Sequence, residues 1–406
     1  MKYIAKKIKI HFLLAVAAMM FILSACNKDV EQFATPVVVA PAGLALGETI
    51  ATIADDSLYY RMIVRGGMLA TINNKSNIFT MFVPNNAAMR QFLVAIGAPS
   101  GQPDAVYSGF ITAFVPATTA ASIISYNMIP QKITTASVPG TFPNWFYPTH
   151  LNPTSGTPGF NPLVRLLTVP STRNGNWINN IPLLAVNLAA ANGVIHTAAA
   201  MPAPPQKVLA QRIFADADMT YLAAAINRAD SGVTPTTSAS LVWVLSNFGP
   251  NVTVFAPTNA AFQNLIFGLV YQQVFAATGS VAIATAQANG AVAAGPAFLS
   301  TNNVSTQMVK GIVVYHMLGS RAFLNNFPTT ATSYPTLLNG GIPSHPGVRL
   351  TCTFTGPFVS AASVKGAANA TASNIAINPT PEPNGTSDQF FVNGVIHKID
   401  QVLLPQ

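Results

Sequence analysis

Short apolar runs that end at a proline or a capping residue dominate the hydrophobic pattern of the chain. Residues 252–255 are β-branched or aromatic and predict a short buried strand, which Pro257 ends. Thr258 or Asn259 can cap the helix that follows. Residues 348–354 alternate between apolar and polar, which predicts a second kind of strand with Cys352 on its buried face. The pattern therefore predicts strands and helices in the same domain.

Three blocks of this pattern occur twice, in the same order. Residues 79–89 return in similar form at 252–262, residues 125–129 correspond to 314–318, and residues 192–196 recur unchanged at 393–397. The spacing between the outer blocks differs, with 109 residues from Pro84 to Gly193 and 137 from Pro257 to Gly394. Insertions between fixed elements are typical of two homologous domains with variable surface loops, and a solenoid would show a short, even period.

The first twenty-six residues have the pattern of an export signal. A basic segment precedes an unbroken apolar run over residues 12–23, which is about 18 Å long as a helix, against a hydrocarbon core of roughly 30 Å. Small residues directly before Cys26 resemble a bacterial lipobox, which implies cleavage there and a diacylglycerol on the Cys26 thiol. A plain secretory signal is the alternative. Residues 27–31 are similar to the segment that sends Bacteroidetes-type lipoproteins to the outer surface.

These features divide the chain into four parts. We expect a lipoprotein signal peptide at 1–25, a lipidated tether at 26–44, and domains at 45–205 and 206–406. The domain boundary follows three prolines, Pro202, Pro204 and Pro205. The expected location is the bacterial cell envelope, lipid-anchored at the outer membrane, with exposure at the cell surface as the further expectation. The expected partner of the N-terminal lipid is the membrane.

Charge gives no support to nucleic-acid binding. The net charge is +8, but four of the twenty Lys and Arg residues lie within residues 1–25. The remaining sixteen Lys and Arg are nearly balanced by twelve Asp and Glu and form no cluster in the sequence. The basic patch that binds a phosphate backbone is therefore not predicted.

The titratable residues predict a scaffold without catalysis, metal or cofactor. No zinc-binding spacing, nucleophile elbow or glycine-rich phosphate loop occurs. His196 and His397 each follow an Asn-Gly pair that predicts a tight turn with φ > 0, and we expect both histidines to be buried or half-buried and to hydrogen-bond across a sheet. Cys352 would be the only cysteine left without a lipid, so no intramolecular disulfide is expected.

With these blocks in view, the chain resembles the fasciclin-like adhesion domain family. Residues 253–262 and 393–405 are similar to the two motifs of that family, and Tyr315-His316 stands where the family carries a Tyr-His pair. The first copy departs from the pattern, with Asn127 in place of the histidine. The resemblance implies an α/β (α+β) fold with two tandem fasciclin-like domains, each a twisted β-wedge flanked by helices. It also implies a role in adhesion or extracellular-matrix binding.

Two places are candidates for contact with an extracellular protein or glycan. One is Tyr315-His316, where a structural role for His316 is the alternative. The other is the Pro-rich segment 139–150, whose Trp145, Phe146 and Tyr147 could stack on sugars or enter a protein groove, or fold back as a lid on the core. The uncharged segment 276–297 predicts either an Ala-rich helix or a mobile loop.

Two classes of function remain open at this stage. The first is a surface adhesion or extracellular-matrix interaction lipoprotein without catalysis. The alternative is a glycan-binding accessory lipoprotein of a nutrient-uptake system, which the anchor and the aromatic segment would also serve.

Overall fold

The computed structural model describes residues 42–153, 161, 163–301 and 304–406. Residues 42–406 form one compact unit. Cys26, the expected signal peptide and most of the expected tether lie outside the described residues.

The first half of this unit alternates short helices with short strands. Its helices are α1 Leu46–Ala51, α2 Ser57–Arg65, α3 Leu69–Asn73, α4 Asn86–Ala95, α5 Asp104–Phe114 and α6 Ala117–Tyr126. Its strands are β1 Phe79–Pro84, β2 Met128–Ile129, β3 Tyr147–Pro148, β4 Leu167–Thr168, β5 Pro170–Ser171, β6 Trp177–Ile178, β7 Ile181–Ala190 and β8 Gly193–Ala198. Single 3-10 turns occur at Ala54–Asp56 and Thr135–Ser137.

The second half repeats this arrangement with longer insertions. Its helices are α7 Leu209–Ala215, α8 Thr220–Ala229, α9 Leu241–Ser246, α10 Asn259–Thr278, α11 Val281–Ala293 and α12 Thr306–Tyr315. Its strands are β9 Val252–Pro257, β10 Met317–Leu318, β11 Thr332–Tyr334, β12 Val348–Thr355, β13 Phe358–Lys365, β14 Ser373–Asn374, β15 Gln389–Phe391 and β16 Gly394–Ile399. Short 3-10 segments are Gly295–Ser300, Leu324–Asn326 and Leu337–Gly340.

The main sheets of the two halves share one topology. In the first half the order is β2-β1-β8-β7-β6-β5, and in the second it is β10-β9-β16-β15. The central pair is parallel in both, β1 with β8 and β9 with β16, and the flanking pairs are antiparallel. Even the register agrees, because Phe79 faces Gly193 and Val252 faces Gly394. The expected α+β fold with two related domains is confirmed.

Both faces of the central parallel strands β1, β8, β9 and β16 are buried, as is usual for parallel strands. In the first domain, Met81 and Ile195 pack on one face in the core formed with helices α1–α6. Phe82 belongs to a smaller cluster on the opposite face. Phe255 takes the same place in the second domain, where its cluster includes the extra sheet β11-β12-β13-β14. Cys352 is buried there as a free thiol, as predicted.

Residues 199–208 carry no helix or strand and connect the two halves, and the expected boundary at 205/206 falls within them.

No single helix in the described ranges is long and apolar enough to cross a membrane, although α5 and α6, bent by 111° to each other, together have the length and composition. The uncharged segment 276–297 is helical over most of its length, in the end of α10 and in α11, which decides between the two alternatives that the sequence left open.

The two Asn-Gly pairs correct one sequence-based prediction. Gly193 and Gly394 are absent from the residues with positive φ, so the expected φ > 0 is wrong. The glycines are needed for a close approach of two strands instead. A Cβ atom at Gly193 would collide with the carbonyl oxygen of Phe79, and one at Gly394 with that of Val252.

Candidate functional site

Asn192 and Asn393, the asparagines of the two Asn-Gly pairs, connect their strands to helices near the start of each domain. Asn192 Oδ1 accepts from the Leu46 N–H at 2.9 Å, while its Nδ2 donates to Ile72 O at 2.8 Å. Asn393 repeats this, accepting from Leu209 N–H at 2.9 Å and donating to Leu245 O at 2.8 Å. The sequence pattern predicts only a turn at these asparagines. Their exact recurrence in both repeats was the signal that a side-chain role existed.

The two motif histidines occupy equivalent, fully hydrogen-bonded positions. His196 Nε2 donates to Ile133 O at 2.9 Å, and its Nδ1 accepts from the Asn187 N–H at 3.3 Å. His397 Nε2 donates to Ala322 O at 2.8 Å. Each ring also stacks on the phenylalanine of the neighbouring strand, Phe82 or Phe255. The prediction that these histidines are buried and bond across the sheet is confirmed.

This pattern of contacts favours a neutral imidazole with the proton on Nε2, because Nδ1 must accept. Burial lowers the pKa of His196, and it lowers the pKa of His397 to about 4. Neither ring has a nitrogen free to act on a substrate. The histidines therefore serve the scaffold.

The cluster around His397 contains a carboxyl and a thiol, the usual partners of a catalytic histidine. Asp388 Oδ1 lies 3.9 Å from His397 Nδ1, and Cys352 is close by, with its thiol donating to Phe327 O at 3.3 Å. Burial raises the pKa of Asp388 to about 7 and that of Cys352 to about 11. A protonated thiol that solvent does not reach is a poor nucleophile.

Tyr315 and His316, expected at a contact surface, are buried. The Tyr315 hydroxyl donates to Gly347 O at 2.7 Å and accepts from the Ala367 N–H at 2.8 Å. His316 Nδ1 donates to Ile312 O at 2.8 Å, and its Nε2 accepts from the Leu403 N–H at 2.8 Å. Their exposed fractions are 0% and 1%, so the predicted surface position is wrong. Tyr315 instead ties the end of α12 to the loops before β12 and after β13, and His316 ties it to the C-terminal segment.

The aromatic segment divides into a buried and an exposed part. Phe142 points inward and packs edge-on against Tyr334 and Phe327, with ring centroids 4.5 Å and 5.9 Å away. Trp145 is 63% exposed and Phe146 46%. Tyr147 is half-buried in β3, paired with Thr168 of β4, and burial raises the pKa of its hydroxyl. The segment is therefore neither a complete lid nor a free loop.

The aromatic segment bonds to β5 of the first domain, and the residues that follow β5 bond to the second domain. The buried Asn144 donates to Ser171 Oγ at 3.0 Å. Asn174, which follows β5, donates to Asn325 O at 2.9 Å and to Phe327 O at 3.1 Å in the second domain. Asn325 returns a bond to Asn179 O at 3.2 Å. Trp145 and Phe146 therefore project from a support that both domains build.

No group of three or more His, Cys, Asp or Glu side chains in the described ranges is placed to hold a metal ion. A large, mainly apolar cavity lies elsewhere, beside α10. Neither of the two places predicted from the sequence lines it.

The fasciclin domain family matches residues 56–200. No curated protein matches the chain. Among solved structures, the chain is similar to a FAS1 domain pair from the insect cell adhesion molecule fasciclin I, described as a novel fold. The identity is 13%, the match covers 85% of this chain and 95% of that one, and the TM-score is 0.30, too low to support a conclusion.

The family match lies in the more divergent first domain, and the second domain repeats its strand order, its register and its histidine contacts. Residues 56–200 therefore match the fasciclin domain family, and the second domain shares the architecture of the matched region.

Proposed function

We propose that this protein is an adhesion or extracellular-matrix interaction lipoprotein that contacts its partner through Trp145 and Phe146 and performs no catalysis. The observation that carries the proposal is the exposure of these two aromatic side chains on a fixed support. Rigid, solvent-exposed aromatic residues lose little entropy when they bind, and they often supply most of the binding energy at an interface.

The fasciclin family, as an adhesion family, supports the same class of function. The duplication supports it further, because two linked domains can combine weak contacts into stronger attachment. The lack of catalysis rests on the histidines, whose ring nitrogens are all engaged by the backbone in the two motifs.

Attachment of protein-coated beads to matrix proteins and to a glycan array tests the aromatic contact. We expect Trp145→Ala with Phe146→Ala to reduce attachment about tenfold or more, the effect of losing a binding hot spot. Phe114→Ala with Phe248→Ala is the matched control, because these phenylalanines are 72% and 48% exposed elsewhere on the surface. Equal attachment by the wild type and both double variants would show that the aromatic segment is not the contact.

The kind of surface to which attachment is lost, matrix protein or glycan, decides between adhesion and the accessory role in nutrient uptake. Loss of attachment to matrix proteins supports adhesion. Loss confined to glycans supports the glycan-binding accessory role in nutrient uptake, since an exposed tryptophan can stack on a sugar ring.

The anchor is a separate part of the proposal and rests on the sequence before Cys26. We propose that Cys26 carries a lipid that holds the protein at the bacterial outer membrane. Cells given a palmitate analogue should label the wild type and leave Cys26→Ser unlabelled. Equal labelling of both proteins would refute the lipid anchor and leave the aromatic contact unaffected.

A further inference from the structure

A long, mainly apolar groove lies in the second domain. It lies between α10, α11 and α12, and α10 and α11 form a helical hairpin that turns at Gly279 with φ = 64°. The volume of this hairpin groove is about 1210 Å³, somewhat above the ~300–1,000 Å³ typical of ligand pockets. In the first domain the corresponding helix α4 has 10 residues against 20 in α10, and two described cavities beside it are about 730 and 700 Å³.

The groove has a buried floor and an open rim. Ile266, Val313 and Val402 on the floor belong to the core of the second domain and are at most 4% exposed. Leu269 and Met308 on the rim are 55% and 60% exposed. Small molecules can therefore enter along the exposed rim and reach the buried apolar side chains of the floor.

Charge sets a second constraint on the occupant. No charged side chain is found among the described residues that line the groove. The sequence from residue 231 to residue 309 contains no Asp, Glu, Lys, Arg or His at all. A charged group would lose its hydration in such a groove without gaining a counter-ion, which costs several kcal/mol or more.

The few polar side chains of the groove are neutral and unevenly distributed. Gln272, Gln273 and Thr278 lie on the last two turns of α10, and Gln287 lies on the facing helix α11. The opposite end, near Phe262 and Val402, is apolar. The groove is thus polar at the tip of the hairpin and apolar toward the core.

We propose that the hairpin groove binds a single long-chain amphiphile with an uncharged polar head, of the class of long-chain alcohols and monoacylglycerols. The hydrocarbon chain lies along α10 toward Val402, and the head meets the glutamines near the tip. The helix rises ~24 Å from Phe262 to Thr278. That exceeds the ~15 Å that one acyl chain occupies in half of a bilayer core, so a complete chain fits.

The shape of the groove favours this occupant over a second copy of the protein. A stable dimer buries ~1,200–2,000 Å² of surface on matching faces. Here the apolar area is concave and its floor is continuous with the domain core. A flexible chain can follow such a floor, whereas a second folded surface would reach only the rim.

Binding of an uncharged fluorescent probe tests the proposal. The full chain with Cys26→Ser, purified without detergent, is titrated with N-phenyl-1-naphthylamine, which fluoresces in apolar surroundings. We expect saturable binding of one probe per chain and displacement by hexadecanol but not by the same concentration of hexanol. Sodium palmitate at pH 8 should displace the probe at least tenfold less well than hexadecanol, because its carboxylate is charged.

Two tryptophan substitutions on the same helix localise the probe. Ala291 is half-buried in the groove wall, whereas Ala286 is exposed on α11 outside the groove. Ala291→Trp should weaken probe binding at least tenfold, and Ala286→Trp should change it less than twofold. Circular dichroism melting shows whether both variants are folded.

A second pair of variants keeps the test valid if Ala291→Trp does not fold. Leu269→Gln places a polar group on the rim and should weaken binding severalfold, whereas Phe275→Gln alters a side chain on α10 outside the groove, 42% exposed, and should not. Equal effects within both pairs, or no saturable binding, would overturn the proposal. A dimer in sedimentation that Leu269→Gln dissociates would also overturn it, by making a second copy the occupant.

Discussion

The backbone N–H of Asp388 donates to Nδ1 of His397 at 3.1 Å, and the side chains of the two residues are 8% and 0% exposed. Asp388 has φ = 51°, and Asn187, which makes the same bond to His196, has φ = 64°. Each donor precedes its histidine by nine residues. Asparagine and aspartate tolerate this left-handed backbone better than most residues, so both domains have a positive-φ residue held by a hydrogen bond to the motif histidine.

Replacement of His397 by Ala should destabilise the second domain. The change leaves the Asp388 N–H and Ala322 O without partners and removes a ring packed on Phe255, at a cost of about 1–3 kcal/mol. Thermal melting should show a fall of about 2–10 °C. His196→Ala should have an effect of the same kind in the first domain. An unchanged melting temperature together with lost ligand binding would mean that His397 belongs to a binding site.

Asp388→Asn should stabilise the protein, and more at pH 8 than at pH 5. The folded pKa of Asp388 is raised to about 7, above its usual 3.8, because the carboxyl is buried. Its contribution to stability is therefore present at low pH and is lost as pH rises from about 4 to about 7. Asparagine removes this loss, can still accept the Leu324 N–H, and already stands at the equivalent position 187.

His316 and His397 act in the opposite direction. Burial lowers their pKa values from 6.5 to about 4, so the unfolded chain binds more protons between these values and stability falls as pH falls through that window. The difference in melting temperature between Asp388→Asn and the wild type, measured at pH 5 and pH 8, isolates the carboxyl from the histidines. The same difference at both pH values would contradict the assignment.

The sequence predicted the elements that depend on local pattern. The strand before Pro257, the cap at Thr258, the burial of Cys352 and the duplication all follow from residues close together in the chain. Tyr315-His316 was misplaced because its partners, Gly347 and Leu403, are 32 and 87 residues away, and such contacts leave no local pattern. The hairpin groove was missed for the same reason. The sequence showed an uncharged segment, but only its packing against α12 makes a cavity.

Gly394→Ala should be among the most damaging single substitutions in the second domain. The added Cβ collides with the carbonyl oxygen of Val252, so β9 and β16 must separate and weaken their parallel pairing. We expect a loss of about 3 kcal/mol or more in urea unfolding. Gly268→Ala in α10 is the control, because open space surrounds a Cβ there and alanine should add roughly 0.5–1 kcal/mol. A Gly394→Ala protein as stable as the wild type would show that the strands can move apart freely.

Tyr315→Phe combined with His316→Asn should lower stability and leave attachment intact. The double change removes the hydroxyl shared by Gly347 and Ala367 and the ring nitrogen that holds the Leu403 N–H, and Asn127 shows that asparagine fits the equivalent position of the first domain. We expect a loss of about 2 kcal/mol or more and a lower melting temperature. Bead attachment, measured at a temperature where the variant is folded, should equal that of the wild type because both side chains are buried. A variant with wild-type melting but no attachment would restore Tyr315 and His316 as contact residues, reached through an opening of the C-terminal segment.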